Sequence, residues 1–353
     1  MDFQLSDDQR ALRSGMRDLL GAVFDRDRLR AAVERGGALD RSLWRELGAA
    51  GFFALRLPEE AGGVGLGLPE AVLLFEEAGR ALLPGPLVAT HLAAGLVKGA
   101  AEGEAVVTAV AGELPVAHLA EADAVLVAGS EPLTGEALRA FVAAARPVRS
   151  MDPLTPLHSA PADAERPPAV SVRTRADAER APAATERTPA HAGRFCFEAA
   201  LLTAAEQLGS AARTTEEAVQ HAGSREQFGS PVGAFQAVKH LCADMLARTE
   251  PARAAVYAAA VTGDPVEIAA AKLLADEAAV RNARDCLQIH GGMGFTWEAD
   301  VHLHLKRAWL RAASWLTGAG AEELLAADLG AAGRLPRSSA APGRPVPEAG
   351  GGG

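Results

Sequence analysis

Apolar residues recur at helical spacing from the start of the chain. Leu12, Met16, Leu19, Leu20 and Val23 share one face, and Ser6 followed three residues later by Gln9 has the form of a capping box. The pattern predicts an amphipathic helix there, and further helices in RSLWRELGAAGF and PEAVLLFEEAGRALL. Between them the glycines and prolines of LPEEAGGVGLGLP break any helical run. Residues 1–103 therefore read as an all-helical unit. The period then changes: EAVVTAV (104–110) and ADAVLVA (122–128) are short β-branched runs bounded by Gly, Pro and Asp, the pattern of strands in a small sheet. Residues 155–193 are rich in Ala, Pro, Arg and Thr, with a loose echo between DAERPPA and DAERAPAATERTPA. They offer one strand, AVSV, and are expected to be mobile. Long helical patterns return from about Phe197: one to the break at Gly223, then 235–260, 265–290 and 300–316, which suggests an antiparallel bundle. Pro251 lies inside the second of these and is expected to bend or interrupt it. The tail has no apolar period and is predicted to be disordered over 331–353.

The expected organisation is thus an N-terminal α unit (1–103), a reduced middle β unit (104–195) and a C-terminal helical bundle (196–330). The fold class is α+β, mainly α. A length of 353 residues agrees with two or three packed units, and 49% hydrophobic with 23% charged residues is a globular composition. The 45 acidic against 35 basic side chains give a net charge of -10, the wrong sign for holding nucleic acid by phosphate neutralisation. Cys196, Cys242 and Cys286 are odd in number and widely spaced, which argues against a disulfide framework or a zinc site. The opening MDFQLSDDQR lacks the order of a signal peptide, and no apolar run approaches the roughly 18 residues needed to span a bilayer. A cytoplasmic protein is expected.

Two blocks carry candidate chemistry. In REQFGSPVGAFQAVKH, Arg225 and Gln227 project from a turn between two helices, where a phosphate or a polar ring edge is readily held. An ordinary connector with surface charge explains the same residues. In QIHGGMGFTWE a helix ends at His290, and Gly291, Gly292 and Gly294 let the backbone turn and a ligand come close. A helix cap followed by a tight turn explains one of these glycines well and three less well, and His290 and Trp297 are commonly capping and packing residues.

LWRELGAAGFFALRLPEEAGGVGLG, REQFGSPVGAFQAVKHLCADM and CLQIHGGMGFTWEADVHLHLKRA, in the order helices, short strands, helices, resemble the flavin-dependent acyl-CoA dehydrogenase family over most of residues 1–330. The likeness is strongest to the short bacterial subunits of heteromeric members. It implies an N-terminal α domain, a central β domain and a C-terminal four-helix bundle, assembled as dimers or tetramers. It also implies FAD as cofactor and an acyl thioester, of coenzyme A or a carrier protein, as substrate. By the same likeness Arg225, Phe228, Gln236, Gln288, Gly291 and Gly292, with Gln227 beside them, reach across an interface to the FAD of a neighbouring chain. A guanidinium and close-approach glycines suit a pyrophosphate.

Other parts of the family pattern are missing. The family reaction needs a positioned carboxylate base, and the two positions where the family carries one are occupied here by Trp315 and Ala199. Glu198 is one residue away, which turns its side chain about 100° around a helix. Glu298 is a second candidate, at a position where similar proteins have an acidic residue without using it as the base. The Thr-Glu-Pro and Gly-Ser segments that cradle the flavin within one subunit are absent. Three functions remain open: a flavoprotein that oxidises an acyl thioester, a non-catalytic subunit that completes the FAD site of a catalytic homologue in a mixed oligomer, and an acyl-thioester-binding protein without turnover.

Overall fold

The computed structural model describes residues 4–110, 115–127, 130–160 and 189–332. The AVSV strand expected at 169–172 and the tail beyond 332 lie outside the described residues. The first segment is helical: α1 (Asp7–Val23), α2 (Arg26–Glu34), α3 (Arg41–Ala49), α4 (Leu68–Arg80) and α5 (Leu87–Ala93). Ser6 caps α1 with both arms of the capping box formed, as its spacing predicts. Trp44, Phe52, Phe53 and Phe75 are fully buried and in ring contact, with centroids 4.7–5.3 Å apart.

The middle segment contains two small sheets. Strands β1 (Val107–Val110) and β3 (Ala124–Val127) pair in parallel, while β2 (Val116–Ala117), β5 (Leu157–Ser159) and β4 (Arg146–Val148) form an antiparallel sheet in that order. Two features differ from the sequence expectation. Helix α6 (Gly135–Ala144) lies between β3 and β4, with Leu138 and Phe141 turned inward. Strand β5 falls in the stretch where only AVSV read as a strand. Three residues show too little alternation to mark a strand, and their partners in β2 and β4 decide it.

The third segment comprises α7 (Pro189–Ser224), α8 (Gln236–Thr262), α9 (Pro265–His290), α10 (Val301–Ala312) and α11 (Gly318–Ala332). Helix α9 is central: α7, α8, α10 and α11 all pack on it. The helix pattern of α8 continues through Pro251 without interruption, and the proline is exposed. Helix α7 begins before the expected Phe197, and α10 ends at Ala312, short of 316, with Trp315 beyond it in a left-handed backbone, φ 65°. Helix α11 runs past the point where disorder was expected, to Ala332, since Ala321 and Leu324 are buried and its alanines favour helix. Among the described residues no helix is long and apolar enough to cross a membrane.

Helix α4 joins the N-terminal helices to the bundle by crossing α7 at two glycines. A Cβ on Gly79 would lie 2.0 Å from the carbonyl oxygen of Glu206, and one on Gly209 would lie 1.8 Å from that of Glu76. The two backbones touch, which fixes the depth at which Glu206 sits.

Candidate functional site

The two sequence blocks meet at one end of the bundle. Helix α7 stops at Ser224, and the Arg225 N–H still donates to the His221 carbonyl at 2.8 Å. A two-residue ribbon follows, β6 (Glu226–Gln227) against β7 (Ser230–Pro231), turned by Phe228 and Gly229 with φ of 52° and 77°. Positive φ at both central residues is the tight hairpin turn compatible with strand twist. Glycine adopts it freely. A phenylalanine there is strained, and its ring is 94% exposed. Arg225, Gln227 and Gln236 are exposed as well. Gln236 opens α8 at an N-terminus with no side-chain cap, and Phe235 packs edge-on against Phe228 with centroids 6.1 Å apart.

Helix α9 ends beside this turn. His290 stacks on His221 with ring centroids 4.0 Å apart, which ties the ends of α7 and α9 together. Gln288 is exposed, and its carbonyl accepts from the Gly291 N–H that closes the helix. A Cβ on Gly294 would come within 2.9 Å of the Leu287 carbonyl oxygen, so this glycine serves the fold, whereas nothing lies within 4 Å of a Cβ built on Gly291 or Gly292. The latter two leave their outer side open. Met293, Phe295 and Trp297 are exposed around them, so the end of the bundle presents a guanidinium, several amides and an apolar rim on one surface.

A second site, not anticipated from sequence, lies where the N-terminal helices, the middle strands and the bundle meet. The cavity is about 130 Å³ and is bounded by the start of α5, β1, β2, Thr203 and Glu206 of α7, Arg307 and Arg311 of α10, and Trp315. Asp152 accepts from the Arg307 Nε and from the Thr155 hydroxyl, and Arg307 Nη1 donates to the Leu83 carbonyl at 3.2 Å. Arg311 Nη2 donates to Glu206 Oε1 at 2.7 Å. Burial pushes the Glu206 carboxyl above its usual range although Arg311 and Arg307 oppose it, and burial brings Arg311 down to about 10. Arg307 Nη2 and Arg311 Nη1 are buried without a hydrogen-bond partner.

The signal for this site was a polar stripe in an otherwise apolar helix. Thr203, Glu206, Gln207, Ser210 and Thr214 recur at steps of three and four along α7 and are all buried. Arg307 and Arg311 repeat the spacing on α10. Periodicity identifies such a stripe, but only the fold shows that the two stripes face each other.

The proposed bases lie away from this cavity. The Glu198 carboxylate accepts from Arg56 Nη1 at 2.8 Å and Arg194 Nε at 3.0 Å. Burial opposes its ionisation, but the two arginines prevail and hold its carboxyl below the usual range. Glu298 is fully exposed, and hydrogen bonds from its own backbone N–H and from Thr296 lower its carboxyl. Ala199 is fully buried. Trp315 borders the cavity and packs edge-on against Phe195, with centroids 5.7 Å apart.

Residues 6–103 match the model of the acyl-CoA dehydrogenase N-terminal domain, and residues 195–333 match that of the acyl-CoA dehydrogenase C-terminal domain. The acyl-CoA dehydrogenase IpdE2 of Mycobacterium tuberculosis is 36% identical over 319 residues, which cover 86% of this chain and 91% of that protein. The chain belongs to the acyl-CoA dehydrogenase family. Its fold is also that of a chain in the ChsE4–ChsE5 complex from Mycobacterium tuberculosis (TM-score 0.74, 22% identity, 95% of this chain and 100% of that chain). A structure of PigA with FAD and proline is similar too (TM-score 0.76, 20% identity, 94% and 99%).

Family membership allows FAD to be tested against the residues present. The bundle end suits one half of a dinucleotide: Arg225 offers a cation, Gln288 and Gln236 offer amides, and Gly291 and Gly292 leave room for close approach. The cavity beside Trp315 does not suit the rest. A space of about 150 Å³ encloses a single benzene ring, so a three-ring isoalloxazine does not fit in 130 Å³. Arg225, Gln236, Gln288, Gly291 and Gly292 are the residues of this chain whose chemistry suits the polar part of such a group.

Proposed function

We propose that the chain serves α,β-dehydrogenation of an acyl thioester as one subunit of a mixed oligomer in the cytoplasm. Arg225, Gln227, Phe228, Gln236, Gln288, Gly291 and Gly292 face an FAD lodged mainly in a neighbouring catalytic chain, and that neighbour supplies the base. FAD, when bound, accepts the hydride. The residues of this chain hold its polar portion and exclude water from it.

The observation that carries this reading is the contrast between the two sites. The bundle end exposes charge, amides and aromatic rings together, while the cavity beside Trp315 is too small for the ring system and its one carboxylate, Glu206, is bonded to Arg311. The ChsE4–ChsE5 complex, which shares this fold, pairs two different chains. Dehydrogenation by a homo-oligomer with Glu198 or Glu298 as base fits less well. Glu198 is held by two arginines and Glu298 lies in open solvent, where neither is set up to take a proton from a substrate carbon.

Purified alone, the chain is expected to be colourless and inert towards acyl-CoA. Co-expressed with a longer homologue from the same source, it should yield a yellow complex that bleaches on acyl-CoA addition. Arg225→Glu should remove flavin from that complex while each chain stays folded. A yellow, fully active homo-oligomer would overturn the reading.

A further inference from the structure

We infer that the groove between the α1–α2 corner, the end of α4, α7 and the start of α10 binds a free α-amino acid with an apolar side chain. The groove encloses about 250 Å³ and shares no lining residue with either site described above. Leu20, Phe24 and Leu29, all buried, give it an apolar floor. Its walls carry guanidiniums and carboxylates in equal number, four of each. That balance disfavours a plain anion or a plain cation and suits a ligand carrying both charges. A benzene ring occupies about 150 Å³, so the groove admits roughly ten non-hydrogen atoms, the size of leucine.

Unused hydrogen-bonding groups of both kinds open on this space. Arg213 is 40% exposed; its Nε lies 2.8 Å from Glu217 Oε1, and neither of its terminal nitrogens makes a hydrogen bond. The Nη1–Nη2 edge of a guanidinium takes a carboxylate through two parallel bonds. Glu217 Oε2 accepts no hydrogen bond either. Burial pushes the Glu217 carboxyl above its usual range, and the Asp300 charge adds to this although Arg213 opposes it. An ammonium beside Glu217 supplies the positive charge that an ionised carboxyl needs there. His304 is 3% exposed, with Nδ1 2.8 Å from the Ser210 hydroxyl. Its Nε2 has no partner on the protein and, unlike Nε2 of His91 and His302, is not closed off by packing. Polar atoms of buried rings are seldom left so, and a polar ligand in the groove completes this one. Gly21 keeps the space open. It lies inside α1, where glycine weakens a helix. Its φ is not left-handed, and nothing lies within 4 Å of a Cβ built on it. Neither backbone nor packing requires glycine there, whereas a larger side chain would reach into the groove it lines.

The test is calorimetric titration of the full chain with L-leucine. L-leucinamide, 4-methylpentanoate and glycine are the controls, lacking the carboxylate, the ammonium and the apolar side chain respectively. Leucine should bind saturably with one site per chain, and each control at least about ten-fold more weakly, the loss expected when one such contact is removed. Arg213→Gln should weaken leucine binding at least about ten-fold. Gly21→Leu, which fills the groove and leaves every charge in place, should abolish it with a melting temperature unchanged or raised. Absence of saturable leucine binding, binding of any control as tight as that of leucine, or leucine binding unaltered in either folded variant would overturn the inference. Ion pairs that close the groove on themselves give the first of these results. Neither flavin nor a second chain enters the experiment, so its outcome is independent of whether the chain is a mixed-oligomer subunit.

Discussion

At the scale of single residues, the interior is unusually rich in titratable groups that the fold holds neutral or paired. His304 is buried with Nδ1 2.8 Å from the Ser210 hydroxyl, and burial, with Arg213 and Arg311 adding to it, brings its pKa down to about 3. His91 is buried beside the Phe52 carbonyl, and burial brings it down to about 4. An unfolded histidine titrates near 6.5. Above that pH both states are neutral. As pH falls through 6.5 the unfolded chain takes up protons that the folded chain refuses, so stability falls. The loss is about 1.4 kcal/mol per pH unit for each histidine until the folded pKa is reached. Thermal melting between pH 7 and pH 5 should show a declining midpoint, and His304→Gln should make the decline shallower.

At the scale of elements, the decisive contact is the crossing of α4 over α7. Gly79 and Gly209 lie inside helices, where glycine costs about 1 kcal/mol relative to alanine. In isolated helices Gly79→Ala and Gly209→Ala would therefore be stabilising. In this fold each added methyl meets a backbone carbonyl oxygen at 2.0 Å or less, and overpacking of this kind costs about 1–3 kcal/mol or more. Both substitutions should lower the urea midpoint, and a raised midpoint would show that the helices do not cross as described. The same crossing places Glu206 against α10, so Gly209→Ala should also disturb the cavity.

At the scale of the whole molecule, the exposed aromatic surface at the bundle end is the feature that a lone chain leaves unexplained. Phe228 is 94% exposed on a strained turn, with Phe235, Met293 and Phe295 also exposed. Exposed apolar groups gathered in this way mark association surfaces. Phe228→Asp should shift the assembly to smaller species in analytical ultracentrifugation and leave the melting temperature of the isolated chain almost unchanged. An unaltered sedimentation profile would remove this surface from the interface.

Much of the architecture was legible in the chain itself. The Ser6 capping box, the apolar face of α1 and the breaks near Gly223 and His290 are local signals, because capping and helical period depend on residues only a few positions apart. The motifs around Arg225 and Gln288 were legible for the same reason, as short contiguous runs at helix ends. Helix α6, the three-residue strand β5 and the start of α7 were not, since short elements depend on the partners they meet. Of the cavity, only the two polar stripes were legible, not that they face each other. Arg307, Arg311, Glu206 and Asp152 lie far apart in sequence, each with an ordinary local explanation, and their pairing exists only once α4, α7, α10 and the middle strands are packed together. Local chemistry along the chain determined the helices and the exposed motif. Tertiary packing alone decided which buried charges face one another, because Coulomb and hydrogen-bond partners are set by distance in space.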